Sequence, residues 1–139
     1  MTKKSSSFII LAWSISLIAT LGSLFFSEVL NFIPCTLCWY QRVMMYPIVF
    51  LLAQAIILNK HSHGALFSLP LAATGVLMAF YHVLLQHGVI SESVSPCGQG
   101  IPCSAKYIEW FGFISIPALS LIAFFLIITI LIKVYKDEK

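Results

Sequence analysis

Residues 39–58, WYQRVMMYPIVFLLAQAIIL, decide how many times this chain crosses a membrane. Their apolar part, Val43 to Leu58, falls short of the about 20 residues that a helix rising about 1.5 Å per residue needs to span a hydrocarbon core of about 30 Å. Extending the stretch back to Trp39 reaches that length and sets Arg42 near one end, where a long side chain snorkels to the headgroups. Three other stretches need no extension: Phe8 to Phe26, Ala65 to Leu85 and Phe111 to Ile132 are uncharged and long enough as they stand. The expected fold is an all-α integral membrane protein, a four-transmembrane-helix bundle. It forms one membrane domain over 1–139, with spans about 8–26, 39–58, 65–85 and 111–132 and outer loops at 27–38 and 86–110.

Composition agrees with that reading and excludes others. The 139 residues are 60% hydrophobic and only 9% charged, with a mean hydropathy of +0.97, whereas about a quarter of a soluble domain is charged. Eight Lys and Arg spread over the chain are too few and too scattered for a phosphate-neutralising footprint on nucleic acid. The apolar and aromatic content excludes disorder. Lys3 and Lys4 before an apolar run also fit a secretory signal, but the apolar core is too long and no small-x-small cleavage site follows, so the first span is read as retained.

Short loops rich in Lys and Arg stay in the cytoplasm. With the N-terminus inside, Lys3, Lys4, Lys60, Lys133, Lys136 and Lys139 are cytoplasmic and only Arg42 and Lys106 lie outside. Four spans then place both termini in the cytoplasm and all four cysteines in, or at the edge of, the outer segments.

That placement governs the cysteines. Cys35-Thr36-Leu37-Cys38 is a C-x-x-C, and Cys97 and Cys103 enclose a short Gly- and Pro-containing loop. On the cytoplasmic side four cysteines suggest zinc first; on an oxidising outer face two redox pairs are the better reading. The competing reading is two inert staples. Against it, a bridge across C-x-x-C closes a very small loop, stabilises little, and is easily reduced. For Cys97 and Cys103 by themselves the two readings stand level.

Pro34 suits a helix start, which puts Cys35 and Cys38 at the N-terminus of the second span. There the amides and the helix dipole stabilise a thiolate, the reactive form. Arg42 then follows Cys38 by one turn on the same face. It is either a cation serving that thiolate or a headgroup anchor. No Gly-rich dinucleotide fingerprint occurs. The economical electron acceptor is a lipid-soluble quinone that reaches Cys38 through the bilayer, with Arg42 stabilising charge that develops on reduction.

The run Pro34-Cys35-Thr36-Leu37-Cys38-Trp39-Tyr40-Gln41-Arg42, opening the second span, resembles the signature of the disulfide bond formation protein B family (DsbB). The likeness extends to the four spans, the later Cys pair, His82-Val83-Leu84-Leu85-Gln86, and Phe111-Gly112-Phe113 before the last helix. The short loop between Cys97 and Cys103 is similar to the compact Gram-positive, BdbC-type members. The resemblance implies a quinone-dependent protein-dithiol oxidase of the bacterial plasma membrane, its cysteine loops on the extracytoplasmic side. Its partner would be an extracytoplasmic thioredoxin-like oxidoreductase of the DsbA or BdbD kind. Carried over, Cys97 takes the partner's attack, and electrons pass from Cys97 and Cys103 to Cys35 and Cys38 through an interloop disulfide between Cys35 and Cys103. Cys38 then delivers them to menaquinone or ubiquinone, with Arg42 and His82 beside the quinone. Gly98 and Gly100 would let the loop move.

Other residues carry plainer readings. His82 is equally a helix-end histidine bonded to a neighbour; His61 and His63 are read as solvated in the inner loop, and Glu28 as solvent-facing. Trp39, Tyr40, Tyr107 and Trp110 fit an interfacial aromatic belt, with Trp13 apart from it. Gly22, Gly75, Gly112, Ala72 and Ala73 are read as close-packing positions, and Pro47, Pro70 and Pro117 as tolerated kinks. The segment Phe32-Ile33 is placed along the membrane surface. The alternative from another class is a disulfide-stapled membrane scaffold or assembly factor. A vitamin K epoxide reductase-like protein is disfavoured because Cys35 and Cys38 come early in the bundle.

Overall fold

The computed structural model describes residues 3–31, 36–89, 91, 109–110 and 114–139. Four helices, α1 (Lys3–Glu28), α2 (Thr36–Ile57), α3 (His61–Gln86) and α4 (Ile116–Glu138), are each long and apolar enough to cross a membrane. None separates a polar face from an apolar one, the pattern of helices surrounded by hydrocarbon and protein. Two two-residue strands, β1 (Glu109–Trp110) and β2 (Ile114–Ser115), pair antiparallel just before α4. Helix α4 therefore opens at Ile116, five residues after the apolar stretch begins at Phe111. Pro117, which lacks an N–H, sits in its first turn, where no intrahelical donor is needed.

The helices form a ring. α3 packs on α2 and α4, α1 packs on the same two, and α1 and α3 lie across the diagonal with little contact. Short links make neighbours antiparallel. Two of the helix ends close with the same device. After α2, the Lys60 amide donates to Ala55 O and the Asn59 amide to Ile56 O, with Asn59 at φ 53°. After α3, the Val89 amide donates to Leu84 O and the Gly88 amide to Leu85 O, with Gly88 at φ 78°. These paired bonds satisfy carbonyls that the helix leaves unused, and Asn and Gly are the residues that tolerate the left-handed turn.

The core is built of small residues and a few large ones. Ile48, Leu52, Ala65, Ala72, Phe124, Ile127 and Leu131 are fully buried in one cluster. Where α3 crosses α4, a Cβ on Gly75 would overlap the Phe124 ring. That is the close approach expected of Gly75, in a solvent where helix association rests on packing. Gly22 differs from the expectation: nothing stands within 4 Å of its would-be Cβ, and it lines a cavity instead. Gly112 lies outside the described residues. Burial is inverted relative to a soluble protein. Ile18, Phe50, Ile57 and Leu77 are more than two-thirds exposed, while Ser5, Ser16 and Ser68 are fully buried. Pro47 and Pro70 lie inside α2 and α3, a placement that neighbouring helices support in a membrane.

One end of the bundle is tied by a carboxylate. Glu138 Oε1 accepts from Ser5 Oγ at 2.8 Å and lies 3.3 Å from His61 Nδ1, and Oε2 accepts from the Ser62 amide at 2.8 Å. The last turn of α4 thus caps the N-terminus of α3 and holds the start of α1, a favourable place for negative charge. His61, expected to be solvated, is buried as the first residue of α3; its partner is distant in sequence, so no local pattern announces it. His63 is exposed. Lys133 Nζ lies 4.3 Å from the centroid of the Phe8 ring at the same end.

Candidate active site at the Cys38 end of the bundle

Towards the end opposite Glu138, residues of all four helices line a cavity of about 420 Å³. Cys38 lines it from the first turn of α2, where backbone amides have no intrahelical acceptors and favour a thiolate. Cys38 also packs against the buried pair Leu37 and Leu85. Arg42, one turn further along α2, and His82, in the penultimate turn of α3, line the same cavity. Three of the residues singled out in the sequence thus converge. Cys35, Cys97 and Cys103 lie outside the described residues, as do Pro34, Phe32, Ile33, Gly98, Gly100, Lys106 and Tyr107.

Arg42 does not reach for the headgroups. It is buried, its Nη2 donates to Ser23 O on α1 at 2.9 Å, and its guanidinium stands 5.3 Å from the Trp39 ring centroid. Among the described residues no carboxylate pairs with it. A cation at the middle of a membrane costs about 2.5–3.5 kcal/mol; even near a helix end, a buried guanidinium held only by a carbonyl and a ring keeps donors available for a further acceptor.

His82 is held from α2. Gln41 Nε2 donates to His82 Nδ1 at 3.0 Å, which leaves the proton of the neutral imidazole on Nε2. Both side chains are buried, and both line the cavity together with Gln86. Gln41 and Gln86 were quoted above only as parts of motifs. The signal that would have singled them out is the presence of an amide inside an apolar span, where polar side chains turn inward.

The cavity wall is otherwise apolar, and part of it is open sideways. Ile18 on α1 and Leu119, Ile122 and Leu126 on α4 all line the cavity and are all exposed on the surface of the bundle. The mouth lies between α1 and α4, on a surface that faces hydrocarbon in a membrane-spanning protein. Two hydroxyls, Thr20 Oγ1 and Tyr46 Oη, are buried at this cavity with no hydrogen-bond partner among the described residues. Apolar walls, a lateral mouth and the remaining N–H donors of Arg42 suit a flat apolar ring carrying acceptor oxygens.

Comparison with known proteins gives the family. The family profile described as "Disulfide bond formation protein DsbB" matches residues 5–134. The disulfide bond formation protein C of Bacillus subtilis (strain 168) is 47% identical over 132 residues, covering 95% of this chain and 94% of its own length. A probable disulfide formation protein C 1 of Bacillus anthracis is 44% identical over 137 residues, covering 98% and 97%. A probable disulfide formation protein of Oceanobacillus iheyensis is 40% identical over 139 residues, covering 99% and 95%. No solved structure matches the chain. A four-helix membrane bundle with Cys38 in the first turn of its second helix, matched along nearly its full length, belongs to the DsbB family of disulfide bond formation proteins.

Proposed function

We propose that this chain is a quinone-dependent protein-dithiol oxidase: it regenerates a thioredoxin-like disulfide donor outside the bacterial plasma membrane and so supports disulfide formation in exported proteins. The coarser part of this, a multi-pass membrane oxidoreductase of disulfide formation, follows from family membership. The cavity that gathers Cys38, Arg42 and His82 and opens toward lipid carries the finer part.

The chemistry divides between two ends of a relay. The partner's thiolate attacks Cys97 of a Cys97–Cys103 disulfide, forming a mixed disulfide and releasing the Cys103 thiolate; the partner's second thiolate then breaks the mixed disulfide, so the partner leaves oxidised while Cys97 and Cys103 keep two electrons as thiols. Thiol–disulfide exchange moves that pair of electrons to Cys35 and Cys38, through a Cys35–Cys103 bridge. Menaquinone or ubiquinone, when bound, supplies the sink for two electrons and two protons. The chain's own residues set the stage for that transfer. The start of α2 favours Cys38 as thiolate, Arg42 places fixed positive charge where negative charge develops, and Gln41 holds the His82 ring with its N–H on Nε2. The surrounding apolar wall keeps water out.

Membranes containing the protein, supplied with reduced thioredoxin-like partner, reduce an added quinone, and Cys38→Ser membranes do not. Arg42→Ala lowers quinone reduction more than it lowers exchange with the partner. Equal activity in wild type and Cys38→Ser removes the relay and leaves a disulfide-stapled scaffold as the reading; equal loss of both rates in Arg42→Ala makes Arg42 structural.

A further inference from the structure

We propose that the outer groove between α2 and α3 at the Glu138 end binds one anionic phospholipid. Its headgroup phosphate lies on Lys60 and His63, its glycerol ester on Gln54, and an acyl chain against Leu51 and Phe67. The site is separate from the Cys38 cavity and does not rest on the quinone reading.

The first observation is shape. One wall of the groove is Leu51, Gln54, Ala55 and Leu58, and the other is Lys60, His63, Gly64 and Phe67; the space between them is about 180 Å³. Each set keeps the spacing of a single helix face, so two faces meet lengthwise. The floor is where the helices come closest: a Cβ on Gly64 would overlap that of Ala55, and both residues are buried. Gln54, Leu58, Lys60, His63 and Phe67 are exposed along the rims, so the groove opens on the outside of the bundle.

The second observation is the order of polarity with depth. The two helices run antiparallel away from the turn at Asn59. Lys60 stands at the turn, His63 and Gln54 about one helical turn in, and Leu51 and Phe67 about 12 Å in by the helical rise. A phospholipid standing in a leaflet presents the same sequence of groups: charge at the surface, ester below it, hydrocarbon below that.

The third observation is Gln54 itself. Its neighbours on the outer surface of α2, Phe50 and Ile57, are among the most exposed side chains of the bundle and face hydrocarbon. A primary amide on that surface is costly unless it is hydrogen-bonded. Among the described residues, the side chains of Gln54, Lys60 and His63 have no hydrogen-bond or ion-pair partner. No acidic residue lines the groove, and the Glu138 carboxylate is engaged by Ser5, His61 and Ser62 instead. The groove therefore offers an ammonium, an imidazole N–H and an amide to whatever lies in it, beside the positive end of α3. Basic pockets between spans take anionic headgroups in this way, and a headgroup that carries its own cation gains less.

The test places the full chain in nanodiscs with equal amounts of phosphatidylglycerol and phosphatidylcholine of matched chains, and counts the lipid retained on release into native mass spectrometry. Wild type keeps one phosphatidylglycerol and favours it over phosphatidylcholine about five-fold, and Lys60→Gln brings the ratio to about one. Lys136→Gln makes the same charge change at the same end of the bundle, outside the groove, and leaves the ratio unchanged. Gln54→Leu lowers retention of both lipids alike, because the ester is common to them. It is no less stable to unfolding than wild type, since the side chain is exposed. Soluble glycerol 3-phosphate in excess does not displace the lipid. Equal retention of the two lipids by wild type, an equal loss of preference in Lys60→Gln and Lys136→Gln, or unchanged retention in Gln54→Leu overturns the proposal. Displacement by glycerol 3-phosphate overturns it too, because the ligand is then a free phosphate and no lipid.

Discussion

Gly75→Ala separates the packing of the bundle from the capacity of its cavity. A Cβ at residue 75 meets the Cδ1, Cε1 and Cζ atoms of Phe124, all too close for any real contact, so the ring must move. Phe124 is fully buried and also lines the cavity, so the space beside it is where the ring goes. Overpacking a close-packed core costs about 1–3 kcal/mol; with about 420 Å³ of cavity adjacent, the expected loss is at the lower end, about 1 kcal/mol. Phe124→Leu alone loses buried surface and contact, also about 1 kcal/mol. Together the two changes relieve each other, so the double variant is less destabilised than the sum of the singles by at least about 1 kcal/mol. The assay is reversible unfolding in mixed detergent micelles, run beside equilibrium binding of a short-chain quinone. Gly75→Ala weakens that binding because the displaced ring occupies the pocket, and adding Phe124→Leu restores it. Additive losses in stability, or unchanged binding in Gly75→Ala, would refute the picture of Gly75 as the seat of the Phe124 ring.

Two further changes report on the ends of the helices. Glu138→Ala removes the carboxylate that the Ser62 amide, the Ser5 hydroxyl and His61 Nδ1 all face. The expected cost is about 2–3 kcal/mol in unfolding free energy, with Glu138→Gln recovering part of it. At the C-terminus of α3, Gly88 sits at φ 78°. Gly88→Ala there loses about 1 kcal/mol in the same unfolding assay, while Gly88→Asn loses less, as Asn59 fills the equivalent place after α2.

Charge placement made the bundle legible. Lys60 separates two apolar stretches so tightly that only an antiparallel pair fits, and Arg42 marked the end of the most doubtful span. Cys38, Arg42 and His82 were readable because reactive or charged side chains are rare in spans. The start of α4 was less readable: Phe111 to Ser115 are mostly apolar, and nothing in hydropathy distinguishes a short strand from the first turns of a helix. Gly22 and Gly75 look alike in sequence, yet one borders open space and the other carries a ring, a difference made by the helix opposite. The same holds for Gln41, whose meaning depends on His82 standing opposite it on a neighbouring helix. His61 and Glu138 are far apart in the chain, and only the closing of the ring of helices brings them together.

The lateral mouth between α1 and α4 changes the units in which affinity is counted. A molecule entering past Ile18 and Ile122 comes from the two-dimensional solution of the bilayer, where its abundance is a mole fraction of lipid and the aqueous volume is irrelevant. Adding empty lipid or detergent at fixed total ligand dilutes it and raises the apparent KM in proportion, though nothing at the cavity has changed. Partition into the bilayer has already stripped water from the ligand, so hydrophobic transfer supplies little of the binding free energy inside. Discrimination between one membrane-dissolved ring and another is left to the few polar atoms that line the walls.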